Sequence, residues 1–282
     1  MSVLRIAVAQ TPARSLDITG NARTAAANAI QAAQAGAGLV VLPELHLCAY
    51  DLPQLARHTH AATVHADEDR TVTDVRLSPL ARAATDHGIT VLMGAAVRHP
   101  DGSLTNSLLA IDPTGGITVP YDKQHLWHDE EAALFTAGTR PGELTVHGRR
   151  LGLGVCYDMS FPEHARAAAV SGAEALLYPA AFATGTEHRA AIYLKARALE
   201  NTVYTVFANA LGGPAHRPCA GAAAVYAPDG STEAEAEAEG DTILYADLTP
   251  RTITDTRVHL RMLGEYRASL PTGRPRNSES FE

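Results

Sequence analysis

A thiol, a carboxylate and an ammonium each stand beside an apolar run in this sequence. Cys156 ends the apolar run in LGLGVCYD at 151–158. Leu151 to Val155 predicts a buried strand, followed by a loop with Asp158 and Pro162 and then an alanine-rich helix. A thiol at such a corner can face a cleft, and a helix N-terminus favours the thiolate, its nucleophilic form. Glu44 follows an apolar run in LPEL at 42–45. Pro43 ends that run, which puts the carboxylate at the C-terminal edge of a sheet, where α/β folds gather ligands. Lys123 lies in YDKQHL at 121–126, among Tyr121, Leu126 and Trp127. A partly buried ammonium there needs a carboxylate partner to stay charged. Taken singly, each has a bland reading: a core cysteine, a surface acid, an edge lysine. Together they supply a nucleophile, a base and a cation for an oxyanion, the parts needed to cleave an amide through a thioester.

The elements that position these groups alternate between strand and helix patterns. Leu4 to Ala9 predicts a strand, Asn21 to Ala35 a helix ending near Gly36, and Leu39 to Leu42 a short buried strand. Asp51 to Asp74 reads as an irregular excursion. Leu77 to His87 predicts a helix closed by Gly88, and Ile89 to Ala95 the next strand. Leu104 to Ile111 and Gly116 to Val119 flank the turn sequence at 112–115, which predicts a hairpin, and a second hairpin turns at Gly148. Beyond Cys156 the pattern gives a helix from Pro162 to Ser171, a strand from Ala175 to Tyr178, a helix from Glu187 to Asn201 and a strand from Val203 to Ala208. Ala222 to Tyr226 and Ile243 to Asp247 bracket Pro228-Asp229-Gly230. EAEAEAEG at 233–240 reads as a solvated loop or helical turn. This order predicts an α/β fold with mixed sheets covered by helices. No linker divides the chain, so residues 1–282 read as one domain with a polar tail at 269–282.

Composition narrows the function. The 282 residues are 46% hydrophobic and 19% charged, ordinary for a globular protein. A net charge of -8 gives no electrostatic support for nucleic-acid binding. Cys48, Cys156 and Cys219 are odd in number and widely spaced, which suits a reducing cytoplasm better than a disulfide framework. No apolar stretch is long enough to span a bilayer, and the N-terminus lacks a signal-peptide pattern, so a cytoplasmic location without membrane contact is expected. His58, His60, His65, Asp67 and Asp69 raise a metal site, but they lie in a loop-like stretch; no metal is expected.

PEL at 43–45, YDKQHL at 121–126 and CYDMSFPE at 156–163 resemble the signature blocks of the nitrilase, or carbon–nitrogen hydrolase, superfamily. RIAVAQ, NSLLAID, RALENTVYTVFAN and GAAAVYAPDG extend the likeness along nearly the whole chain. The resemblance implies a four-layer αββα sandwich, a cofactor-free Glu44-Lys123-Cys156 triad and a homodimer or larger assembly. It makes Cys156 the nucleophile, Glu44 the base and Lys123 the oxyanion partner, helped by the Tyr157 backbone N–H. Glu131, four residues before Phe135 and seven before Gly138, matches a second family glutamate that orients the lysine and the substrate; Glu130 is the fallback. Tyr-Asp after the cysteine, in place of the Trp-Glu of nitrile-cleaving members, resembles the amidase branch. That branch includes enzymes acting on ω-amides and deaminated glutathione.

The expected reaction is hydrolysis of a small linear amide, with N-carbamoyl amide hydrolysis and a non-catalytic binding role as alternatives. Ser160 stands where close relatives carry an arginine that can hold a substrate carboxylate. Arg189 offers a replacement cation, whereas Glu187 favours a cationic substrate. Cys48 and Cys219 receive no role.

Overall fold

Two sheets stack face to face in the computed structural model, which describes residues 3–237 and 239–270. In the first, strands run in the order Thr242–Leu248, Leu4–Gln10, Leu39–Val41, Thr90–Arg98, Leu104–Ile111 and Ile117–Asp122. In the second they run Thr232–Glu235, Ala224–Tyr226, Tyr204–Asn209, Ala175–Ala180, Arg149–Leu153 and Gly142–Val146. Each sheet has three neighbouring parallel strands flanked by antiparallel ones.

Alternation along the strands sorts the side chains into layers. Leu4, Ile6, Val8, Leu39, Val41 and Leu92 meet Leu151, Leu153, Leu177, Tyr204 and Val206 between the sheets. The intervening residues face outward: Ala7, Ala9, Val40 and Val91 pack on helices Ile18–Gln34 and Ser78–His87. On the far side Leu176, Tyr178 and Phe207 pack on Pro162–Val170 and Glu187–Asn201. The result is the expected αββα sandwich. Alanines dominate the helix side of the first contact, where Ala22, Ala25, Ala26, Ala29 and Ala32 are buried.

Local signals placed most elements within a few residues, and the hairpins turn where expected, at Gly115 and Gly148, both with positive φ. Four differences stand out. Glu233 begins no loop: Thr232–Glu235 is an edge strand, with Ala234 turned inward and the glutamates exposed. Its acid–alanine repeat has the two-residue period of a strand, and the outward charges protect a sheet edge. Thr242–Leu248 crosses to the other sheet and pairs antiparallel with Leu4–Gln10. Asp51 to Asp74 carries two short helices, Leu52–Arg57 and Thr59–Ala62. Residues 250–269 add helices Pro250–His259 and Met262–Ser269. Of the expected tail, residues 271–282 lie outside the described residues.

Candidate active site

Strand ends carry the three chemical residues to one locus. Glu44 follows Leu39–Val41, Lys123 follows Ile117–Asp122, and Cys156 comes three residues after Arg149–Leu153. Glu44 is locked from behind by the strand Thr90–Arg98: Gly94 N–H donates to Pro43 O at 3.0 Å, and Leu47 N–H to Gly94 O at 3.0 Å. A Cβ at Gly94 would sit 2.2 Å from the Leu45 nitrogen, so only glycine allows this approach.

Lys123 Nζ donates to Glu44 Oε1 at 2.7 Å and to Glu131 Oε1 at 2.8 Å, with all three side chains fully buried. Asn106 Nδ2 adds a donor to Glu44 Oε1 at 2.8 Å. Glu131 is held in turn by Tyr50 OH at 2.7 Å and by the Trp127 backbone N–H at 2.7 Å. Glu131, not Glu130, therefore faces the lysine. Glu130 points to the rim, where it pairs with Arg217 at 3.2 Å. The Arg217 guanidinium lies 5.6 Å from the Tyr50 ring centre and 5.9 Å from that of Trp127.

Burial and charge set the protonation of this cluster. Burial would lower the Lys123 pKa, but Glu44 and Glu131 outweigh it and hold the ammonium charged. Burial, reinforced by Glu131, raises the Glu44 pKa against the opposing effects of Lys123 and Asn106. Burial and then Glu44 push the Cys156 thiol well above its ordinary range, although Lys123 and an Ala181 backbone hydrogen bond pull the other way. The expectation of a thiolate stabilised by a helix N-terminus is thus corrected. Cys156–Ser160 is a short 3-10 turn, and the dense, anionic surroundings keep the sulfur protonated. Such a thiol needs a base to take its proton as it attacks, and a glutamate with a raised pKa is suited to that.

Cys156 itself adopts φ 47°, an unusual backbone for a non-glycine residue. Asp158 holds that turn. Its Oδ2 accepts from Val155 N–H and Tyr121 OH, each at 2.8 Å, and its Oδ1 from His125 N–H at 2.9 Å, with His125 Nδ1 at 2.7 Å. One buried carboxylate therefore ties the lysine segment to the cysteine segment. Arg197 braces the other side, donating to the carbonyls of Met159 and Ser160.

The side chains of the remaining candidates fall outside this hydrogen-bonded cluster. Tyr157 is half-buried, its ring 5.0 Å from Trp127. Ser160 enters the network through its carbonyl, to Arg197. Glu187 and Arg189 sit in the first turn of Glu187–Asn201 and form no ion pair among the described residues. No group of three His, Cys, Asp or Glu stands where it could hold a metal among the described residues. Sequence reasoning missed Asn106, Tyr50, and Asp158 as a tether. Asn106 carried a signal, standing in the polar run Thr105-Asn106-Ser107 of a wholly buried strand; the others needed the tertiary arrangement.

The carbon-nitrogen hydrolase family profile matches residues 5–258. The chain belongs to that family. A deaminated glutathione amidase of Escherichia coli is 32% identical, over 89% of this chain and 93% of the relative. An omega-amidase of Mus musculus is 28% identical, over 96% of this chain and 98% of the relative. An amidase of the nitrilase superfamily from Nesterenkonia AN1 superposes with a TM-score of 0.77 at 31% identity, covering 92% of this chain and 95% of the other. A mutant of that amidase shows Michael addition of acrylamide at its active-site cysteine, with a TM-score of 0.76, 31% identity and coverage of 92% and 98%. The chain is accordingly a hydrolase of carbon–nitrogen bonds other than peptide bonds.

Proposed function

We propose that this carbon-nitrogen hydrolase is an amidase converting a small linear amide to a carboxylate and ammonia, with Cys156, Glu44, Lys123 and Glu131 as its working groups. The observation that carries this is the fully buried Lys123 ammonium bridging Glu44 and Glu131 beside a strained cysteine. Glu44 takes the Cys156 proton as sulfur attacks the amide carbon. Lys123 and the Tyr157 N–H receive the negative charge that develops on the carbonyl oxygen. Collapse breaks the C–N bond, Glu44 returns the proton to nitrogen, and ammonia leaves a thioester. Water is the co-reactant of the second half. Its proton passes to Glu44, its oxygen attacks the thioester, and collapse breaks the C–S bond as Glu44 reprotonates sulfur.

A cavity of about 370 Å3 opens beside Tyr50, with Leu52, Leu134, His216 and Arg217 in its wall; Glu44, Lys123, Glu131 and Cys156 do not line it, and Tyr50 joins it to the cluster through Glu131. The amidase names of relatives and the Nesterenkonia complexes with acrylamide and butyramide support small amides. Ammonia release from a panel of ω-amides, short aliphatic amides, carbamoyl amines and nitriles tests the proposal. Amides should be cleaved by the wild type and not by Cys156→Ala; full turnover by that variant refutes it.

The same proposal takes residues 1–282 as one catalytic domain, working as a homodimer in the cytoplasm. Three free cysteines suit a reducing compartment. Partly exposed apolar side chains, Ile192 and Leu199 on one helix and Val258, Met262 and Tyr266 on the C-terminal pair, suit a subunit contact. No described helix is long and apolar enough to cross a membrane.

A further inference from the structure

His46 is 1% exposed, and neither ring nitrogen has a hydrogen-bond partner among the described residues. Two buried polar atoms without partners in one imidazole call for an explanation, because buried polar groups are ordinarily paired. Burial lowers its pKa to about 4, so at neutral pH the ring is uncharged, with one N–H and one lone pair. Glu44 Oε2 is also buried without a partner, as is Oδ1 of the Asn106 that bonds Glu44. The sister oxygen, Glu44 Oε1, is occupied by Lys123 and Asn106, which leaves Oε2 as the oxygen free to exchange protons.

Both residues line one small cavity, closed by Tyr50, Gly212, Gly213 and Cys219. The space open to the centre of a water molecule is about 10 Å3, room for roughly one water. The 210–213 segment that roofs it is tied to the cysteine side of the site, since Ala210 N–H donates to Ala180 O at 2.9 Å and Ala181 bonds to Cys156. The cavity therefore lies between the base and the segment flanking the nucleophile.

We propose that His46 and Glu44 Oε2 hold one water between them, and that His46 is the positioning residue for the water that cleaves the thioester. This rests on the amidase reading of the same site. The water donates one hydrogen to the carboxylate and makes its second hydrogen bond to one imidazole nitrogen. When ammonia has left, Glu44 Oε2 takes that proton, the hydroxyl oxygen bonds to the thioester carbon, and the C–S bond breaks with the proton returned to sulfur. His46 makes no hydrogen bond to the Cys156 sulfur, so acylation does not depend on it.

His46→Phe keeps a planar ring and removes both nitrogens. With an amide that the wild type turns over, ammonia release in the first turnover should stay within twofold. Steady-state turnover should fall roughly 10- to 100-fold, the scale of a misplaced reactant, and intact mass should show an acyl adduct accumulating on Cys156. His46→Gln, which keeps a donor and an acceptor, should recover part of the loss. A steady-state rate within twofold of wild type without adduct overturns the proposal, and so does an equal slowing of both phases, which marks a merely structural role. A crystal structure of the wild-type protein decides independently of activity and of how the variants fold. A water bonded to Glu44 Oε2 and an imidazole nitrogen supports the proposal; a dry cavity overturns it. Absence of ammonia and adduct from the wild type with every amide would instead count against the amidase reading.

Discussion

Glu131→Gln separates the buried acid from its exposed neighbour. Glu131 accepts from Lys123 and Tyr50 through Oε1 and from the Trp127 N–H through Oε2. An amide of the same shape can accept on one side only. Either its NH2 faces the Trp127 N–H, or it faces the ammonium and the phenol. At least one buried donor loses its acceptor, a cost of about 1–3 kcal/mol to stability. Lys123 also loses one of two carboxylates that aim it. If it no longer meets the oxyanion squarely, kcat/KM should fall about 10²–10³-fold, or about 2.7–4 kcal/mol, as when one oxyanion donor is removed. The pH dependence has a defined sign. The Glu131 charge raises the pKa of Glu44, so removing it lowers that pKa. The base then stays ionised to lower pH, and the acid limb of kcat/KM should move down in pH while the plateau drops. Glu130→Gln is the control. Its side chain is 66% exposed and its pair with Arg217 sits at the rim, so kcat/KM should change by less than about threefold. Ammonia release across pH, together with thermal unfolding, reads all of this. A Glu131→Gln enzyme with kcat/KM within threefold of wild type and an unmoved acid limb refutes the assignment, as does an equal loss in Glu130→Gln.

Asp158→Asn should destabilise the fold by about 2–4 kcal/mol, because the new NH2 opposes donors that the carboxylate accepts from and charge-assisted bonds are lost. Burial would raise the Asp158 pKa, but the His125 hydrogen bond, His164 and the Val155 N–H outweigh it and hold it below 3.8. Its contribution is therefore present above the unfolded pKa, near 3.8, and lost as pH falls through the lower folded value, so the wild type and the variant should converge in denaturant midpoint on acidification. A constant gap from neutral to acid pH contradicts this. For the subunit contact, light scattering at micromolar concentration should give at least twice the 29.8 kDa chain mass, and Ile192→Glu should reduce it; a monomeric wild type removes the dimer.

Local chemistry made much of this protein readable from its sequence. Glu44, Lys123 and Cys156 each announce themselves by a polar group next to an apolar strand, Glu131 came only from its spacing in the family resemblance, and strand and helix periods come from neighbouring residues. The acid–alanine repeat at 232–235 had a strand's period too, yet charge hid it until a partner strand was present. Other features depend on residues far apart in the chain. Asp158 becomes a tether only when Tyr121, 37 residues away, reaches it. Gly94 matters because the Glu44–Leu45 backbone lies against it. The protonation of Cys156 is decided the same way. Its segment suggests a cleft-facing thiol activated by a helix N-terminus, whereas burial and the Glu44 charge push its pKa up. Sequence determines which groups can do chemistry. Desolvation and the opposing charges around them arise only from packing, and these decide which groups carry a proton and which need a partner.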